Sequence, residues 1–69
     1  MVELKVKELA ERIGIENATQ LRAATGLGQG TSYGLWTGKS RRIDLDTIDV
    51  LCEVLQVQPG MLFERKPGR

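Results

Sequence analysis

The sequence predicts a mainly α protein, one bundle of four or five helices led in by a short strand. Three observations carry that prediction. Val6, Leu9, Ala10 and Ile13 fall at i, i+3, i+4 and i+7, as do Ile48, Leu51, Cys52 and Leu55, so each set forms one helical stripe. Helix stops and starts recur in order along the chain, at Gly14, Asn17, Gly26, Gly38, Asp44 and Pro59. The length of 69 residues leaves room for one domain and no second.

Met1 to Lys7 opens the chain with apolar Val2, Leu4 and Val6 alternating with polar Glu3, Lys5 and Lys7, the period of a strand covered on one face. So short a strand needs a partner. The first helix starts at Val6, buries the Val6–Leu9–Ala10–Ile13 stripe and ends at Gly14. Lys7 with Glu11 and Glu8 with Arg12 stand four apart on its outer side, which marks exposure.

Asn17 offers a side-chain oxygen to the free amides of a second helix over Ala18–Thr25, with Leu21 and Ala24 as its core face and small Ala18 and Ala23 permitting close approach. Gly26 permits the left-handed residue that ends it. Only Leu27 and Gly28 then precede a third helix from Gln29 to Thr37, which stops at Gly38. Two helices joined this tightly cross steeply, the geometry of a helix-turn-helix. Leu35 and Trp36 anchor the third helix, while Gly30 and Gly34 within it leave it weak by itself, since Gly costs about 0.8–1 kcal/mol relative to Ala in a helix interior.

A fourth helix is capped by Asp44, with Ile43 and Ile48 placed as a hydrophobic staple and Asp46 in the first turn where it suits the helix dipole. Cys52 on its stripe reads as a buried small hydrophobe. Pro59 starts a last turn that sets Met61, Leu62 and Phe63 against the core or on an apolar dimer patch. The domain is expected to span residues 1–64, with Arg65 to Arg69, carrying Pro67 and Gly68, as a disordered tail.

Leu21, Thr25-Gly26-Leu27, Gln29 and Leu35-Trp36-Thr37-Gly38, followed by Arg42-Ile43-Asp44-Leu45-Asp46-Thr47-Ile48 and Pro59-Gly60-Met61-Leu62, resemble the Cro and phage lambda repressor class of helix-turn-helix regulators. The resemblance covers most of the chain. It implies a lambda-repressor-like bundle, and pairing of the N-terminal strand with Met61–Arg65 as a minor two-stranded sheet. It also implies sequence-specific binding of double-stranded DNA as a small transcriptional regulator, a repressor working as a homodimer, with the third helix in the major groove.

On that reading Gln29, Gly30, Thr31 and Tyr33 are the candidates for base contact, the Gln29 amide matching the donor and acceptor edge of adenine. Lys39, Ser40, Arg41 and Arg42 follow the recognition helix and suit phosphate, and Arg42 could instead brace Asp44. The phosphate contact that the family often gives to a glutamine where Ala18 stands falls here to Asn17, Thr19 or Gln20. Two further departures are Arg22, where the family usually has alanine against the recognition helix, and Gly34, where it often has arginine. Small Ser32, at a common valine or isoleucine position, would leave room for the Arg22 stem.

The charge pattern agrees with a polar interface. Net charge is only +1, yet Asn17–Arg42 holds four basic residues (Arg22, Lys39, Arg41 and Arg42) and no acidic one, while Ile43–Glu64 holds five acidic residues and no basic one. A basic pole of this kind faces phosphate.

The rival function is a protein-binding module, an antitoxin or accessory factor holding a toxin or an effector-binding protein through a surface that includes Met61 to Phe63. Enzymatic activity is not expected, because no histidine, activated cysteine environment or phosphate-cradling loop is present. Cys52 is alone, so neither an internal disulfide nor a Cys/His metal site is expected, and no cofactor. With no apolar run near the roughly 20 residues that span a bilayer and no secretion signal, the expected place is the cytoplasm, away from membranes.

Overall fold

A computed structural model describes residues 1–67. The chain runs β1 (Val2–Leu4), α1 (Val6–Arg12), α2 (Ala18–Thr25), α3 (Gln29–Thr37), α4 (Leu45–Leu55), a 3-10 turn (Pro59–Leu62) and β2 (Phe63–Arg65). The two strands pair antiparallel, with Val2 opposite Arg65, Glu3 opposite Glu64 and Leu4 opposite Phe63. The mainly helical bundle and the small sheet joining the two ends are thus both present.

The sheet is tied to the bundle by backbone and charge. Lys5 N–H donates to the Leu62 carbonyl at 2.8 Å, and its ammonium reaches Glu8 at 2.9 Å and Glu64 at 3.0 Å. Both carboxylates favour the charged amine and push its pKa up, Glu8 more than Glu64. The pairing continues past β2, because Lys66 N–H donates to the Met1 carbonyl at 2.7 Å. Arg65 and Lys66 of the segment expected as a disordered tail thus lie beside Val2 and Met1, and Gly68 and Arg69 of that segment lie outside the described residues.

Nine side chains form the core: Val6, Leu9, Ala10, Ile15, Leu21, Leu35, Leu51, Leu55 and Leu62. Burying a Val, Leu or Ile side chain contributes about 1.5–3 kcal/mol, so this cluster is what holds helices that are individually short. Two expectations fail at its edge. Ile13 is 49% exposed and Ile15 is buried in its place. The cause is the end of α1: Gly14 turns left-handed at φ 89, its N–H donates to Glu11, and Ile15 N–H donates to Ala10. That paired closure reverses the chain after Ile13 and aims the next apolar residue inward.

In α2 only Leu21 is buried, and Ala23 and Ala24 are exposed, so Ala24 is not a core residue. The covered stripe instead runs Ala18, Leu21, Thr25, with the Thr25 hydroxyl donating to the Leu21 carbonyl at 2.8 Å and accepting from Leu27 N–H at 3.2 Å. A seven-residue spacing keeps that line on one face, and Ala24 falls beside it.

The capping of α4 follows the sequence. The Asp44 carboxylate accepts from Thr47 N–H at 2.8 Å, and hydrogen bonding to Thr47 holds the Asp44 pKa below its ordinary value. Leu51 and Leu55 are buried, while Ile48 and Cys52 are half-buried at the outer edge, so Cys52 is less enclosed than its stripe suggested. Leu62 is fully buried, Phe63 half-buried in β2, and Met61 is 47% exposed.

Candidate nucleic-acid interface

The pair α2 and α3 is fixed at both ends by local chemistry. Asn17 Oδ1 accepts from Gln20 N–H at 2.8 Å, closing the first turn of α2. Gly26, at φ 75, ends α2 with its N–H on the Arg22 carbonyl. Leu27 then drops toward the core, and α3 begins at Gln29 without a side-chain cap.

Leu35 is 1% exposed and Trp36 half-buried against the core, where the Lys7 ammonium lies 5.9 Å from its ring centroid. These two anchors set the roll of α3. Gln29, Gly30, Thr31 and Tyr33 consequently face outward, with Tyr33 59% exposed.

A cleft of about 380 Å³ runs between the helices, lined by Ala18, Thr19 and Arg22 from α2 and by Gln29, Gly30 and Tyr33 from α3. Each helix offers residues at i, i+1 and i+4, the spacing of one helical face. Thr19, Gln29, Gly30 and Tyr33 are thus brought together, with one cation and no acid among them. Thr31 is exposed but outside the cleft lining. Asn17 is exposed, with its side-chain oxygen committed to the cap.

Arg22 does not fill the crossing with α3. It is exposed at the cleft, while Ser32 is 1% exposed with its hydroxyl lacking a hydrogen-bond partner. The shared cleft was legible only from the packing of the two helices, because Arg22 and Gln29 are seven residues apart across a turn.

The segment after α3 is strapped to it: Lys39 N–H and Ser40 N–H both donate to the Gly34 carbonyl, at 3.0 and 3.3 Å. A Cβ added at Gly34 would lie 2.5 Å from Ser40 Oγ. A side chain at Gly34 therefore requires the Ser40 hydroxyl to turn away, while the rest of Ser40 lies at ordinary contact distance. Ser40 itself is half-buried, whereas Lys39, Arg41 and Arg42 are exposed.

Ser40, Arg41 and Arg42 line a second groove, against Val2, Glu3, Leu4 and Phe63. The sheet thereby sets Glu3 on the same groove as Arg41 and Arg42, with the Glu3 carboxylate itself paired to Lys66 at 3.3 Å. Among the described residues the ion pairs join Lys5 to Glu8, Lys5 to Glu64 and Lys66 to Glu3, so the brace from Arg42 to Asp44 does not form. The same set shows that Lys7 with Glu11 and Glu8 with Arg12 do not pair.

Among the described residues, no group of three or more His, Cys, Asp or Glu is arranged to hold a metal ion, and no helix is long and apolar enough to cross a membrane. A family model for the Cro/C1-type HTH DNA-binding domain matches residues 5–68 of the chain. No curated protein and no solved structure matches it.

Proposed function

The chain belongs to the Cro/C1-type helix-turn-helix DNA-binding family, and on that premise we propose that it is a cytoplasmic transcriptional repressor that binds duplex DNA as a homodimer. The observation that supports this reading best is the acid-free cleft where Thr19, Gln29, Gly30 and Tyr33 lie together. In the proposed complex α3 lies in the major groove. Gln29, Gly30, Thr31 and Tyr33 face base edges there, the Gln29 amide pairing with adenine and the Thr31 methyl meeting thymine. Lys39, Ser40, Arg41 and Arg42, with Thr19 and Asn17 at the start of α2, hold phosphates on the groove edge.

Two protomers are proposed because one module of this size reads few base pairs, and a two-fold pair doubles the site. Selection of duplexes from a random library tests the reading. A two-fold symmetric motif with half-site centres about 34 Å apart supports it, and an unenriched pool contradicts it.

A second reading is a protein-binding module such as an antitoxin or accessory factor, whose surface would include Met61, exposed while Leu62 is buried, and the exposed side of α4. There a shallow groove is lined by apolar Leu45, Ile48, Cys52, Val57 and Pro59 together with Asp49, Glu53 and Gln58, and Leu45 is 81% exposed. A toxin or effector-binding protein with a basic, apolar segment would fit it. In both readings the protein acts by binding.

A further inference from the structure

We infer that Arg22 is a phosphate-binding residue of the interface, reaching the DNA backbone from α2 through the cleft that Ala18 and Gly30 leave open. The inference rests on the DNA-binding reading and adds a residue to it. Ala18, Thr19 and Arg22 form one wall of the cleft and Gln29, Gly30 and Tyr33 the other. At Gly30 an added Cβ would meet nothing within 4 Å, so the α3 wall is low opposite the cation. Arg22 is exposed, and among the described residues no acid pairs with it.

In a helix-turn-helix the first helix of the pair crosses the DNA backbone while the second enters the groove, so the α2 wall of the cleft faces a strand's phosphates and the α3 wall the base edges. Arg22 is the one cation lining it. A guanidinium presents two parallel N–H donors to phosphate oxygens and carries its charge at any working pH. From α2 it would hold the backbone on the same side as Gln29, adding a full charge where Ala18 has no polar side chain and the start of α3 offers only backbone amides.

The competing role for Arg22 is structural, a cation in the last turn of α2 that offsets the helix dipole. Salt dependence separates the two roles. The full chain is titrated by fluorescence anisotropy, over a series of salt concentrations, against a duplex chosen by library selection and a scrambled duplex of equal length. Arg22→Gln, which keeps a good helix former, is compared with wild type and with Arg22→Lys, and thermal melting checks each fold.

The expected result is weaker binding of Arg22→Gln to both duplexes by a similar factor, with the log–log salt slope shallower by about 0.9 per protomer and Arg22→Lys retaining the wild-type slope. An unchanged slope in a folded Arg22→Gln variant overturns the inference, as does a loss confined to the selected duplex, which would make Arg22 a base contact. Should Arg22→Gln fail to fold, Arg22→Ala takes its place, and an unchanged slope in that folded variant overturns the inference equally. Wild type that binds neither duplex at low salt removes the DNA-binding reading itself, whereas salt-sensitive wild type with an unaffected Arg22→Gln removes only the role given to Arg22.

Discussion

The helix proposed to enter the groove and the helix that walls the core are built on opposite principles. α4 carries its own stabilisation: an Asp44 cap, Asp46 in the first turn, eleven residues and two fully committed leucines. α3 has none of these. It starts at Gly28 without a side-chain cap, holds Gly30 and Gly34 in its nine residues, and buries a serine whose hydroxyl has no partner. Packing at Leu35 and Trp36 holds α3 in place, and its outer face is left small and polar. The proposed binding surface is thus drawn from the locally weakest part of the fold, where side chains are free to meet another molecule.

That contrast can be broken most forcefully at Leu35. Leu35→Ala is expected to cost about 2–5 kcal/mol, a large share of what so small a domain possesses, and to unfold α3 before α4. Urea unfolding followed by the single tryptophan, Trp36, together with amide exchange, checks both parts. Equal loss of protection in the two helices would show that α3 has no special dependence on packing.

Ser32→Ala sharpens the same point in the other direction. Removing a buried hydroxyl without a partner is expected to stabilise the protein by about 1 kcal/mol, seen as a higher urea midpoint at unchanged slope. Gly30→Ala is expected to add a smaller gain, below the about 0.8–1 kcal/mol of a helix interior, because a Cβ there meets open space but the position lies in the first turn of α3. On the DNA-binding reading this variant should also bind DNA less well, the added methyl filling the cleft mouth. Stability and affinity moving together would argue that Gly30 is not at the interface. Gly34→Ala should gain less, since Ser40 must turn its hydroxyl away, and Ser40→Ala in the same chain should restore the gain.

The smallest expected effect is at the α4 cap, where the sign follows from protonation. Hydrogen bonding to Thr47 holds the Asp44 carboxyl below its ordinary range in the folded state. Its contribution is therefore complete above that range and disappears as pH falls through the lowered folded value. Melting temperature of wild type should drop on acidification more than that of Asp44→Ala, and the two curves should converge at the acid end.

Helix limits were legible because their determinants are local. Asn17, Gly26, Gly38, Asp44 and Pro59 act within a turn of themselves: α2 and α4 begin at the two caps, α2 and α3 end at the two glycines and Pro59 opens the 3-10 turn. By contrast, α4 ends at Gln56, left-handed at φ 58 without a glycine to announce it. What depends on chain reversal or closure was not. Ile13 and Ile15 exchange places through a hydrogen-bonded reversal at Gly14 that a 3.6-residue period does not contain. Ser40 covers Gly34 only once the following loop folds back, and Glu3 meets the Arg41–Arg42 groove only because the sheet joins the two ends. The outward face of α3 was readable from its two anchors, whereas the place of Arg22 needed both helices at once.

The central claim, that the α2–α3 face and the cations after it meet DNA while α4 does not, is tested most directly by titrating isotope-labelled protein with the selected duplex and following each backbone amide by NMR. The account predicts that Thr19, Gln29, Gly30, Thr31, Tyr33 and Lys39 to Arg42 shift or broaden in a salt-sensitive way, with Asp49 and Glu53 unmoved. Perturbation centred on Leu45, Asp49 and Glu53, with Gln29 and Thr31 unchanged, would contradict it.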